Sequence, residues 1–401
     1  MNKFINYFKK QVLKTTRFSG FFLKYYFKND NIDIFSSKKN HVFFGYYDKS
    51  PFNNTAEYLL AGHLPIRKKF FNNNASLSLG FYDLRSNKFN FIDKTKAWCW
   101  QQGARLFWHP INPNIVTYNK LINGKYKNIF YDLEKNKTIH LIDKPSYDLS
   151  NDGKISLSLN FERLQKLRPG YGYNDLGNSN ISNSSPSNDG IYLTTINDKK
   201  SELIIHLEEI ANYNQKKEMK GSIHYFNHIS INPISTGFIF LHLWTKNDKR
   251  SSRLFYYDLI TNAFDQLSEN PVAHYAWTDE NQLLVTEEYD YRVYYNLYDI
   301  KTKKKHTIAE NKLRKDGHPT IFENKQKIIY DSYPDRLGYQ SLNLFDITKN
   351  FNKILFKTYM PNQYTGEFKC DLHPRLSREN NKIISIDLVH NNKRAMGIIK
   401  I

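Results

Sequence analysis

From residue 40 to the C-terminus one short pattern returns at intervals of roughly 40–50 residues, and few folds accommodate such self-similarity. Its most regular element is an aromatic-Asp-aliphatic step running into a polar turn. It occurs as Phe81-Tyr82-Asp83-Leu84, Phe130-Tyr131-Asp132-Leu133, Tyr256-Tyr257-Asp258-Leu259, Leu297-Tyr298-Asp299-Ile300 and Leu344-Phe345-Asp346-Ile347. Each reads as a third strand entering a hairpin, and a further short strand follows, as at 89–92 or 138–142. A second element then opens the next unit: His228-Ile229-Ser230-Ile231-Asn232, His274-Tyr275-Ala276-Trp277-Thr278, His318-Pro319-Thr320-Ile321-Phe322 and His373-Pro374-Arg375-Leu376-Ser377. Less regular openers fall at 46–50, 105–109 and 147–150, which makes seven. Turns such as Ser150-Asn151-Asp152-Gly153 carry the Asn, Asp and Gly that tight hairpins need.

Strand, turn and opener together predict an all-β fold, a seven-bladed β-propeller of four-stranded antiparallel blades over residues 31–401. The final segment, Gly397-Ile398-Ile399-Lys400-Ile401, is a third strand lacking a fourth, and a strand near 32–35 is expected to supply it and close the ring. Closure removes the sheet edges that would otherwise invite aggregation. The interval from Tyr147 to His228 is longer than the others and holds the polar run 178–190, which reads as an inserted loop over one face. Aromatics at 15% of residues, with 29 Tyr and 28 Phe, agree with strands.

The formal net charge of +19 draws the molecule towards polyanions, or reflects solvated lysines on outer strands. No RNP-type motif, helix-turn-helix pattern or zinc-finger spacing accompanies it, so no nucleic-acid partner is expected. The two cysteines, Cys99 and Cys370, form no disulfide framework and fit a reducing, cytoplasmic setting. Residues 1–30 mix lysines with Phe4, Ile5, Phe8 and Val12 on one helical face, without a membrane-spanning run or a secretory signal pattern. This short helical extension suits either peripheral contact with an anionic membrane or packing on the propeller.

The first strand of each blade lines the axial channel, so residues at the seven openers converge on one mouth. Four openers place His there, and Cys370 sits three residues before His373. Imidazole and thiolate are the usual ligands of Zn2+, so His274, His318, Cys370 and His373 are the expected structural zinc site, with His228 as a substitute.

Blades one to three carry a different set: His41, His63, Arg105, Tyr147 and Arg163, beside the run 161–173, FERLQKLRPGYGY. The phrase Phe44-Gly45-Tyr46-Tyr47-Asp48-Lys49-Ser50-Pro51, the Arg168-Pro169-Gly170-Tyr171-Gly172-Tyr173 run and the His-Pro-Arg-Leu-Ser opener resemble the propeller polysaccharide lyases typified by ulvan lyases of families twenty-four and twenty-five. There is a more distant similarity to oligogalacturonate lyases. The resemblance implies β-elimination on an acidic polysaccharide, a lytic site of two His, a Tyr and an Arg, and a structural zinc ion. By order and spacing the lytic residues fall on His41, His63, Tyr147 and Arg163, with Arg105, Tyr171 and Tyr173 holding substrate.

The chemistry asks for such a set. Removing the proton next to a uronate carboxylate requires a cation to neutralise the carboxylate as charge builds, a base for the proton and an acid for the leaving oxygen. The family typically works outside the cell, whereas this chain shows no convincing export signal, so trimming or assembling a bacterium's own surface polysaccharide is the expected setting. The rival expectation is a non-catalytic propeller that binds acidic glycan or a partner through the same mouth.

Overall fold

Alternating aromatic and branched residues form strands wherever one face can be buried, and they dominate this chain. The computed structural model describes residues 31–66, 75–377 and 382–401 apart from positions 175, 178, 311 and 314; its strands form seven four-stranded antiparallel sheets, the blades of a propeller. Six blades are consecutive in the chain, spanning 40–95, 107–142, 148–206, 223–268, 272–308 and 320–359. The seventh takes Arg375–Leu376, Ile383–His390 and Lys393–Lys400 from the C-terminus and Ile32–Phe35 from the other end. That closing strand pairs Ile32 with Ile399 and Phe35 with Met396, as the unpaired terminal strand in the sequence implied. The expected helical extension at 1–30 lies outside the described residues. Among the described residues no helix is long and apolar enough to cross a membrane.

The first blade departs from the expected opener. Its innermost strand is Asn40–Phe43, and 44–51 continues from it as irregular chain before Phe52 bridges to Leu59. The long interval in the third blade lies between its second strand, Ile155–Ser158, and its third, Gly190–Thr195. It contains the short helix Phe161–Leu167, whose Asn160 side chain caps it by accepting from Arg163 N.

Apolar side chains fill the spaces between blades, and buried guanidiniums stitch the links between them. Arg394 donates to the carbonyls of Trp100 at 2.9 Å and Phe368 at 3.0 Å, joining the links that follow the first and sixth blades. Arg375 pairs with Asp387 at 3.2 Å and donates to Tyr46 O, also at 3.2 Å, tying the last blade to the first. A guanidinium stays charged and offers five donors, so it can satisfy several buried carbonyls at once.

Candidate functional site

The opener residues turn towards the axis through local backbone departures. Arg105, His228 and His373 occupy the same repeat position in three blades and all have positive φ, at 51°, 52° and 45°. The pairing register of the fourth blade also slips between Asn227 and Ser230, a bulge that re-aims His228. Such conformations cost non-glycine residues about 1–2 kcal/mol each and recur where side-chain direction matters. Gly317 allows a further close approach, since a Cβ there would lie 2.0 Å from Asp331 O. The next residue, His318, thereby reaches Asp331.

Three histidines meet at the axis. The ring of His318 lies 4.2 Å from that of His274 and 4.3 Å from that of His373, centroid to centroid. Each has its Nδ1 occupied. His274 Nδ1 is 2.9 Å from Asp316, His318 Nδ1 is 2.9 Å from Asp331, and His373 Nδ1 is 2.9 Å from Gly45 O. Asp331 also accepts from the backbone N–H groups of His318 and His373, at 2.8 and 3.0 Å, and so locks two openers together. Acceptors on Nδ1 fix the tautomer and leave Nε2 as a lone-pair donor, the arrangement usual behind metal-ligating histidines. Among the described residues the buried Nε2 atoms of His318 and His373 have no hydrogen-bond partner. Burial works to raise the Asp316 carboxyl, but the neighbouring His274 outweighs it and holds it at about 2.

Asp371 completes a group with His318 and His373 in which one ligand atom of each lies within 4.8 Å of the others. Two imidazoles and a carboxylate fit a divalent cation, and this donor set does not single out zinc. Cys370, expected as the thiolate ligand, sits instead in the apolar cluster with Tyr364 and Phe368, where burial pushes its thiol up to about 12. The chain from 369 to 374 is irregular and His373 has a positive φ, so distance along the sequence does not decide which neighbour turns towards the axis with His373.

Beside this group lies His228. Its ring stacks on Tyr46 at 4.7 Å, with Tyr46 Oη 3.3 Å from Nε2, and Arg168 Nη1 lies 3.4 Å from the same nitrogen. Because a guanidinium only donates, Nε2 must be the unprotonated nitrogen. Nδ1–H then points at Tyr147 Oη, 3.2 Å away, which also accepts from His228 N at 3.1 Å and donates to Asn227 Oδ1 at 3.2 Å. Burial, and next the Arg168 charge, hold His228 well below the usual imidazole range, so it is neutral at physiological pH. Arg168 stacks 4.0 Å over Tyr171, and both are partly exposed at the mouth. Lys369 lies across the mouth, 3.6 Å over Tyr333 and 2.9 Å from Asp371.

The expected lytic quartet does not share this cleft. His41 and His63 lie on opposite faces of the first blade, because Val42 and not His41 is the register partner of His63. His41 packs edge-on to Trp100 and Phe368 and accepts from Arg394 N at 3.2 Å. His63 stacks on Phe89 at 3.8 Å and is 2.8 Å from Tyr82 Oη. Arg163 points into the insertion, donating to the carbonyls of His224, Asn180, Asn183 and Ser184 at 2.8–3.1 Å. Of the quartet only Tyr147 is central.

Among the expected substrate contacts, Tyr171 is at the mouth. Arg105 is buried, forking onto Asp48 at 3.0 and 2.7 Å and donating to Tyr147 O at 2.9 Å. Tyr173 is fully buried, stacked on Phe161 at 4.3 Å and bonded to Asn119 at 2.8 Å. Sequence reasoning placed Tyr46, Arg168 and Asp371 within quoted motifs or next to them without giving them roles.

The fold and axial site define a seven-bladed propeller with a histidine-lined mouth. No protein-family model matches the sequence, and no curated protein matches it. Among solved structures the chain is similar to an oligogalacturonate lyase in complex with manganese: 12% identity, TM-score 0.66, covering 94% of this chain and 98% of that one. A second oligogalacturonate lyase, from Vibrio parahaemolyticus, gives 10% identity, TM-score 0.64 and coverage of 92% and 93%. The β-propeller domain of the Trilobed protease from Pyrococcus furiosus gives 9% identity, TM-score 0.51 and coverage of 90% and 96%. At these identities the likeness is one of fold.

Proposed function

We propose that the protein is a lyase that cleaves a uronate-containing acidic polysaccharide by β-elimination at the histidine-lined mouth. The observation that carries this reading is the position of His228 Nε2, 3.4 Å from Arg168 Nη1 and 3.3 Å from Tyr46 Oη. A uronate carboxylate held by Arg168 brings the proton on the adjacent carbon next to His228 Nε2. That nitrogen takes the proton, and the Arg168 charge offsets the negative charge growing on the carboxylate. The Tyr46 hydroxyl, 3.3 Å from the same nitrogen, is placed to protonate the leaving oxygen from the same side of the sugar. Tyr147 accepts from Nδ1–H and orients the base, so it acts as a positioning residue.

His318, His373 and Asp371 are the residues that would hold a divalent cation. Such an ion would supply Lewis-acid stabilisation of the carboxylate. The likeness to oligogalacturonate lyases, one of them a manganese complex, supports the reading, and the motifs that resemble ulvan lyases are the ground for widening it to other uronates. The reading carries with it work on surface polysaccharide in the cytoplasm, with residues 1–30 touching an anionic membrane.

The test is the ultraviolet absorbance of the unsaturated product over a panel of uronate polysaccharides. The wild-type protein gives a rising signal, and His228→Gln lowers it by about 10²–10⁴, the usual worth of a general base. Arg168→Ala abolishes turnover and weakens retention on the polysaccharide. Retention by the wild-type protein without a new chromophore would overturn the lyase reading in favour of a binding protein.

A further inference from the structure

The inner strands do not end at the histidines. In every blade the chain continues past the opener for two to five residues, which at about 3.3 Å per residue carries it roughly 7–17 Å down the axis. There it lines an axial cavity of ≈ 620 Å³. Its wall draws on all seven blades: Lys49, Pro110 and Asn151 from the first three, Ser230 and Trp277 from the fourth and fifth, Thr320 and Leu376 from the last two. It is therefore an axial well at the mouth opposite the histidines. Between the two mouths the channel is plugged. Tyr47 Oη donates to Tyr275 O at 2.7 Å and accepts from Tyr275 N at 2.9 Å, while Tyr275 Oη donates to His228 O.

We infer that this well is a second binding site, for a neutral saccharide of one or two units. Its volume is that of a small-molecule site. Its charges are already matched from within: Asp48 is held bidentately by Arg105, Lys49 pairs with Asp148, and Arg375 pairs with Asp387. A charged ligand would have to break one of these pairs, whereas an uncharged one need not. This differs from the histidine mouth, where the Arg168 guanidinium faces Tyr171 and the His228 ring.

The remaining wall combines an aromatic plane with short hydroxyl and amide groups. Trp277 is partly exposed, and its indole N–H donates to Ser230 O at 3.4 Å, which fixes the ring edge and leaves the π-face as a platform for sugar C–H groups. Ser50 donates its proton to Leu376 O at 2.8 Å and so offers lone pairs to a hydroxyl. Thr320, Ser230 and Asn151 complete a lining suited to alternating polar and apolar faces of a pyranose. The exposed Ile111 and Ile234 lie in the turns beside Pro110 and Pro233, forming an apolar rim.

The inference does not depend on the lyase reading, and the test keeps them apart. Saturation-transfer NMR and calorimetry on the full chain would use maltose, cellobiose, lactose and N,N′-diacetylchitobiose as probes, with trigalacturonate as the acidic control. At least one neutral disaccharide binds. Trp277→Ala weakens it about tenfold or more, which is ~1.4 kcal/mol, and Thr320→Trp, which fills the well from a partly exposed position, abolishes it. Retention of trigalacturonate is the same in both variants. The inference is overturned if none of the four sugars binds, or if binding survives Thr320→Trp. It is equally overturned if Thr320→Trp displaces the acidic trimer, or if it dissociates a wild-type dimer, which would make the occupant a second copy of the chain.

Discussion

At the scale of single residues, two buried histidines on the first blade show how one side-chain type serves different ends. His41 is held neutral chiefly by burial and then by the Arg394 charge, which lower it to about 4, and burial alone brings His63 to about 4. Both have unfolded values near 6.5, so the unfolded chain binds more protons than the native one between pH 6.5 and 4. Their contribution to stability is complete above about pH 6.5 and is lost as the pH falls towards 4. Denaturant titrations at pH 7, 5.5 and 4 should show the unfolding free energy falling across this window. His41→Asn keeps an acceptor for Arg394 N without a titrating ring and should remove on the order of 3 kcal/mol of the fall. An unchanged pH slope in that variant would count against a neutral buried His41.

Elements decide what the residues of the third-blade insertion do. Arg163 and Arg168 are five residues apart in one quoted run, and nothing in spacing alone says which faces substrate. The helix Phe161–Leu167 decides it: Arg163 is on its buried side, while Arg168 stands past its last turn at the mouth. Arg163→Ala therefore strips several carbonyls of their donor and should destabilise the protein by about 3–5 kcal/mol, as loss of a buried charge-assisted network does. Limited proteolysis should then cut first within 179–184. At permissive temperature the folded fraction should keep its affinity for acidic glycan, whereas Arg168→Ala should lose affinity with little change in melting temperature. Equal loss of affinity in both variants would contradict this division of labour.

The same scale explains what the sequence disclosed. The openers were legible because a repeat puts equivalent residues at equivalent places, so four sequence-remote histidines could be grouped before any coordinates. His274, His318 and His373 do meet, and His228 stands beside them. Asp371 was not legible, because the irregular chain ahead of the strand Arg375–Leu376 has no fixed side-chain period. Neither were His41 and His63, since order and spacing along a chain carry no information on which face of a sheet a side chain takes. A shift of one residue in register exchanges the faces.

For the whole molecule, closure is the feature on which everything else stands. The last blade has its outer strand from Ile32–Phe35, and Ile32 pairs with Ile399 while Ile34 pairs with Gly397. Without it the strand Lys393–Lys400 becomes an open edge beside Lys38 and Ser37, whose carbonyls Lys393 Nζ now caps at 3.4 and 2.8 Å. The adjoining Phe35 also packs on Tyr82 of the first blade at 5.0 Å, so the closing strand joins both ends of the ring. A chain beginning at residue 31 keeps this strand, while one beginning at residue 37 loses it. The shorter chain should melt at least about 10 °C lower, since several kcal/mol of pairing and burial are removed from one cooperative unit. It should also aggregate through the exposed edge on size-exclusion chromatography. Because His373 and Arg375 belong to the same blade and reach Gly45 and Tyr46 of the first, opening the ring there also loosens the histidine mouth, and glycan retention should fall with the melting temperature. A chain beginning at residue 37 that melts and binds like the full protein would show that the propeller is held shut elsewhere.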